Sequence, residues 1–209
     1  MIWLISDTHF WHRNVLKGNN WGTRPFKNLE EMHNALIDNW NSRVGDEDTV
    51  YFLGDFVMGA GRQKAEYILQ QLKGNKIILV RGNHDRDKGD KKWKEIGFDE
   101  VYTQLVINIG GHEVLLHHYP YNPMLTGFRI FIYKLKNFWK WQRRNKYPFL
   151  RDMSKRPVNK GMWLIHGHSH NGVRINGKQI NVAVDLNNFT PVSEAQIIEI
   201  INNYESNRG

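Results

Sequence analysis

Apolar runs that stop abruptly at polar or glycine residues recur through the first half of the chain. Residues 76–85 read KIILVRGNHD. From Ile77 to Arg81 the run is β-branched and aliphatic, too short for a helix and stopped by Gly82, which predicts a buried strand. Residues 2–6 and 49–53 share the pattern and lead into Asp7-Thr8-His9 and Gly54-Asp55. Between them lies a loop-like stretch, residues 10–26. Leu29, Met32, Leu36, Ile37 and Trp40 then recur at helical spacing behind Asn28, a capping residue with Glu31 three positions on. A second helix is expected over about residues 62–72. The first half is therefore β-α-β-α-β, with polar residues emerging at each strand end, where α/β sheets bind ligands.

The second half changes character. After a short helical candidate at residues 91–96, residues 101–109 and 112–118 flank Gly110-Gly111, a two-residue hairpin signal. Residues 162–166, 172–175 and 179–184, the last two around Asn176-Gly177, predict further strands of antiparallel style. A closing helix is expected over residues 193–204, with a Ser193/Gln196 capping box behind Pro191. Without repeats or low-complexity tracts, the pattern predicts one mixed α/β domain over residues 1–209, its sheets covered by helices.

Composition narrows the chemistry. The 209 residues are 40% hydrophobic and include no cysteine, which excludes disulfides and thiolate metal sites. Any metal must therefore use oxygen and nitrogen ligands. No apolar run approaches the ~20 residues of a membrane span. The absence of a basic n-region and cleavage site before Asp7 argues against a signal peptide, so a cytoplasmic location is expected. The net charge of +8 is concentrated: residues 121–160 hold eleven Lys/Arg against Asp152, a balance of +10, which leaves −2 for the remaining 169. The same segment holds nine aromatics, among them Trp139 and Trp141.

The candidate chemical residues at strand ends are Asp7, His9, Asp55, Asn83, His84, His117 or His118, His168 and His170. Each is weak evidence alone. The ordered set D-x-H, GD, GNHD, a strand-end His and GHSH is strong. Alternation along an extended chain would turn Asp7 and His9 to one side, and likewise His168 and His170. These hard oxygen and borderline nitrogen donors suit Mn²⁺, Fe or Zn²⁺. Seven or eight donors exceed one such ion and match two, which about 3.5–4 Å apart can clamp the oxygens of a phosphoryl group during in-line displacement.

The ordered motifs resemble those of the calcineurin-like metallophosphoesterase superfamily, from Asp7 to His170. The resemblance implies a β-sandwich of two mixed sheets flanked by helices (αββα), two divalent metal ions with manganese foremost, and hydrolysis of phosphate esters. It implies Asp7, His9 and His170 as ligands of one ion, Asn83, His118 and His168 of the other, and Asp55 as the bridge. His118 is favoured over His117 because it directly precedes Tyr119-Pro120. His84 is implied as the acid that protonates or hydrogen-bonds the leaving or a non-bridging oxygen, with Asp85 either orienting it or capping the next turn. Residues 7–14, DTHFWHRN, look like a small DTHFxHxN branch and make His12 and Asn14 candidate substrate contacts, with loop packing as the alternative. The blocks GDF and GNHD depart from the GDxxDRG and GNHE of protein phosphatases, which argues against that substrate class.

Three other histidines carry no expected role: His33 as packed or partly exposed, His112 as exposed, His166 as a sheet residue. The basic aromatic insertion at about 121–160 has three readings. It is an amphipathic helix with a solvated face (Phe131, Leu135, Phe138 and Gln142 fall at helical spacing), a lid attracting a nucleotide or nucleic acid, or a dimer or membrane-surface contact. The expected function is a dinuclear phosphoesterase, with phosphodiester or nucleotide substrates slightly preferred. The alternatives are a phosphomonoesterase for a small metabolite and an inactive binding scaffold.

Overall fold

The computed structural model describes residues 1–18, 23–85, 89–122 and 155–207. Three parallel strands form its centre: β1 (Ile2–Ile5), β2 (Thr49–Phe52) and β3 (Lys76–Val80). Their alternating side chains build two cores. Trp3, Ile5, Val50, Phe52, Ile77 and Leu79 pack against α1 (Leu29–Asn41), α2 (Arg62–Leu69) and α3 (Gly89–Ile96). Leu4, Leu53 and Val80 point the other way, into a core shared with the second sheet and the closing helix α4 (Glu194–Ser206). A sheet buried on both faces explains why its strands read as unbroken apolar runs. The helix starts follow the sequence signals. Asn28 Oδ1 accepts the Glu31 N–H at 2.9 Å, and Ser193 and Gln196 form a reciprocal capping box.

The second half departs from expectation in several places. The run 101–109 is two strands, not one: β4 (Glu100–Tyr102) extends the first sheet beside β3, whereas β5 (Gln104–Ile109) begins the second. The chain changes sheets at Thr103. The turn at Gly110-Gly111 joins β5 to β6 (His112–His117) as predicted, with φ of 58° and 87°, the positive values a type I′ turn requires. β7 (Trp163–His166) and β8 (Gln179–Asn181), however, run parallel to their neighbours rather than antiparallel. Parallel pairing needs a crossover of a dozen or more residues, and the connections before β7 and β8 are long enough to supply it. Residues 172–175 form no strand; a single antiparallel bridge joins Ile175 to Ile180. An unforeseen two-residue strand, β9 (Val192–Ser193), closes the first sheet antiparallel to β1.

The orders are thus β4-β3-β2-β1-β9 and β5-β6-β7-β8, two mixed sheets flanked by helices. No described helix is long and apolar enough to cross a membrane. Most of the basic aromatic insertion, and the whole of its expected helix, lies outside the described residues. Leu36 carries α1 onto the first core and is 2% exposed. Leu36→Ala should lower stability by about 2–5 kcal/mol. The exposed Asp38→Ala on the same helix should change it by less than about 0.5 kcal/mol. Equal shifts of the two urea midpoints would contradict this packing.

Candidate metal centre

At the carboxyl ends of β1, β2, β3, β6 and β7 the backbone leaves the strand conformation at once. Asp7, His9, Asp55 and His168 have φ of 60°, 49°, 59° and 71°. Asp7 and His9 therefore share a side through left-handed turns, not through strand alternation. GHSH is likewise a turn, with the Ser169 N–H on the Gly167 carbonyl at 2.9 Å. Left-handed non-glycine residues cost of order 1–3 kcal/mol each and cluster at functional sites. A continued ladder holds these: Asp7 N–H to Gly54 O at 2.9 Å, His9 N–H to Asp55 O at 3.0 Å and Phe10 N–H to Phe56 O at 2.9 Å. Two motif glycines permit the close approach. A Cβ on Gly82 would lie 2.1 Å from Asp55 Oδ1, and one on Gly167 1.9 Å from Ser6 Oγ.

The donor atoms fall into two groups. In the first, His9 Nε2 and His170 Nε2 are 3.1 Å apart, and Asp7 Oδ1 lies 3.8 and 3.6 Å from them. In the second, Asn83 Oδ1 is 3.0 Å from both His118 Nε2 and His168 Nδ1. Asp55 Oδ2 sits between the groups, 3.6 Å from His9 Nε2 and 3.5 Å from His118 Nε2. Its other oxygen accepts the His84 N–H at 2.9 Å. Donors around one ion with bonds of about 2.1 Å stand about 3–3.4 Å apart. The nitrogen–nitrogen and amide spacings of 3.0–3.1 Å match that, and the carboxylate spacings of 3.5–3.8 Å are slightly wider.

Hydrogen bonding points the same way. His118 donates from Nδ1 to the Leu53 carbonyl at 2.8 Å, which leaves Nε2 facing the Asn83 oxygen. His170 donates from Nδ1 to Asp185 Oδ2 at 2.7 Å, which leaves Nε2 facing His9. Asp7 Oδ2 accepts from Ser6 Oγ and the His168 N–H, whereas the buried Oδ1 has no hydrogen-bond partner. Nitrogen and oxygen atoms that converge in this way are what a cation satisfies.

Electrostatics separates the carboxylates. Burial, then the charges of Asp85 and Asp7, push Asp55 well above the usual carboxylate range. Burial also opposes charge on Asp7, but the attraction of His9, His118 and His170 holds it well below that range. Burial lowers His9 to about 3, against the pull of Asp7. Burial, with His12 and His118 nearby, lowers His84 to about 4. Burial opposes charge on His170, yet the Asp185 hydrogen bond and Asp7 raise it.

Two supports were not legible as such. Asp185, half-buried in the turn after β8, orients His170. Arg24, 3% exposed, grips Asp185 with Nε at 2.8 Å and Nη2 at 2.9 Å and donates to the Asp7 and Thr8 carbonyls at 2.6 Å each. Nothing in the sequence marks Asp185. Arg24 carried a weak signal, as a cation in an Arg-Pro-Phe run shortly after the first motif. Asp85 does not take the orienting role considered for it. Its carboxylate accepts the backbone N–H groups of Asp55, Phe56 and Gly82 at 2.6, 3.2 and 2.8 Å, which braces the Asp55 turn rather than the His84 ring.

The remaining candidates divide by position. His118 lies in the cluster, whereas His117 takes the Tyr119 N–H on Nδ1 at 2.9 Å. The His84 ring meets His9 edge-on at 5.4 Å between centroids, with Nε2 3.9 Å from Asp55 Oδ2. His12 is buried, with Nδ1 3.3 Å from His9 Nδ1, while Asn14 is exposed farther out. His33 accepts the Trp11 N–H on Nε2 at 2.9 Å, a structural role that fixes the loop. His166 ends β7, and His112 is half-buried rather than exposed.

Removing an outer partner of a metal-ligating histidine costs about 10–100-fold in metal affinity. Asp185→Ala should weaken Mn²⁺ binding by that amount in calorimetry. Affinity equal to the parent's would show that His170 needs no such support.

The model of the family described as "Calcineurin-like phosphoesterase" matches residues 1–194. An uncharacterized protein of Methanocaldococcus jannaschii is 33% identical over 207 residues, covering 96% of this chain and 90% of that protein. The Gene 66 protein of Mycobacterium phage D29 is 26% identical over 98% of this chain and 97% of its own. Among solved structures, a protein of unknown function from Aquifex aeolicus superposes with a TM-score of 0.64 at 28% identity, covering 96% of this chain and 98% of that one. The strand-end motifs, the two-sheet fold and the match over nearly the whole length place the chain in the calcineurin-like phosphoesterase family of phosphoester hydrolases.

Proposed function

We propose that the chain is a dinuclear metal-dependent phosphodiesterase. The observation that carries this reading is the position of Asp55 Oδ2, within 3.6 Å of a nitrogen from each donor group. Asp7, His9 and His170 would hold one ion, Asn83, His118 and His168 the other, and Asp55 both. Bound in pairs, such ions supply positive charge to the phosphoryl oxygens and an acidified water as nucleophile. The donor set suits manganese, with iron and zinc as the other candidates. The absence of cysteine fits a reducing cytoplasm.

The chain's own groups do the rest. Asp185 and Arg24 hold the His170 ring, and the Leu53 carbonyl holds that of His118. His84, half-buried beside Asp55, is placed to hydrogen-bond the leaving or a non-bridging oxygen. A cavity of about 280 Å³ opens over the centre, lined by Asp55, Asn83, His168 and His170 together with Arg156. A guanidinium there suits a phosphate oxygen. Arg156 lies near the end of the basic insertion, and its charge beside the centre suits an anionic phosphate ester.

Asp55→Ala should drop metal content from two ions per chain and abolish hydrolysis, because one carboxylate serves both groups. Elemental analysis showing full content would remove the bridge from the mechanism. His84→Ala should lower kcat by about 10²-fold or more at unchanged metal content, the signature of a group acting in the transition state. A matching loss of metal would make His84 a ligand instead.

A further inference from the structure

A second, larger cavity of about 850 Å³ lies between α1 and α2, and one residue of its lining, His12, packs against His9 of the metal centre. The His12 ring forms part of its lining and stands 5.2 Å from the His9 ring and 6.3 Å from that of His84, between centroids. The size lies within the range of small-molecule sites, and the lining has their mixture of apolar wall and a few polar groups. Ile37 and Ile68 supply apolar wall, Trp11 and Tyr67 aromatic surface, Arg13 and Lys64 positive charge.

Two details specify what this groove would take. Tyr67 is 60% exposed, an aromatic face turned outward that the fold does not use. The Lys64 ammonium stands 4.5 Å over the Trp11 ring, so a cation is held at the wall by a cation–π contact. Aromatic surface and a fixed cation beside a phosphoryl centre match a ligand that is at once aromatic and anionic.

We infer that this groove is a nucleotide subsite, which holds the base and sugar of a nucleotidyl ester while its phosphate lies at the metal centre. The inference rests on the phosphodiesterase reading for the position of the phosphate, and it adds the substrate class. His12 would mark the border between the two halves of the ligand.

The test is calorimetric titration of the parent, Tyr67→Ala and Lys64→Gln with AMP and with inorganic phosphate, all in excess Mn²⁺. Both side chains are exposed, so neither change threatens folding. The parent should bind AMP at least about tenfold more tightly than phosphate, and each variant should lose about fivefold or more for AMP with phosphate affinity kept. AMP binding no tighter than phosphate, or variants matching the parent, would overturn the subsite. Release of nitrophenol from bis(p-nitrophenyl) phosphate by the parent is measured alongside. Hydrolysis without AMP discrimination sinks the subsite and leaves the hydrolase reading. Groove-dependent AMP binding without hydrolysis does the reverse.

Discussion

The backbone ladder between β1 and β2 continues past both strands, and the arrangement of the centre depends on that continuation. Three hydrogen bonds keep the loops in register after the regular strands have ended, while Asp7, His9 and Asp55 adopt left-handed conformations. Such conformations persist only where the surroundings fix them. Arg24 takes the Asp7 and Thr8 carbonyls, and Asp85 takes the Asp55 and Phe56 N–H groups. Two buried charges thus serve as backbone partners, and the donor side chains are left free to converge.

Beneath this lies an aromatic bed. Phe56 meets Phe10, Phe52 and Phe98 at 5.3–5.5 Å between centroids, in edge-on geometry. Trp93 packs against the same cluster and donates its indole N–H to the Asp85 carbonyl at 2.6 Å. The phenylalanines that directly follow the D-x-H and GD motifs are therefore anchors. They tie each loop to the hydrophobic layer under it, which links the packing of α3 to the position of Asp55.

Much of this was legible in the sequence, and for identifiable reasons. The first sheet is buried on both faces, so its strands appeared as apolar runs. The motif residues are expensive to bury without partners and so stood out at the strand ends. The parallel course of β7 and β8 was hidden because strand direction depends on the connections, whereas short apolar runs report only the strands. The break at Thr103 left no mark because both sides of it are extended. Asp185 escaped notice because its partner Arg24 lies 161 residues away. Asp85 was read through its neighbour His84, but its carboxylate reaches across to the backbone at Asp55 and Phe56, 30 and 29 residues back.

Each donor group draws on both sheets. Asp7 and His9 follow β1 and Asn83 follows β3, whereas His118 follows β6 and His168 and His170 follow β7. A cation held in either position would therefore be a clasp across the seam of the sandwich. Its binding energy becomes available only once the two layers have docked. By mass action, an ion at a hundred times its dissociation constant adds about 2.7 kcal/mol to the folded state. The loaded protein and the stripped one would then differ in how firmly the halves of the fold stay shut, and the proposed catalytic centre would also be the fastening of the architecture.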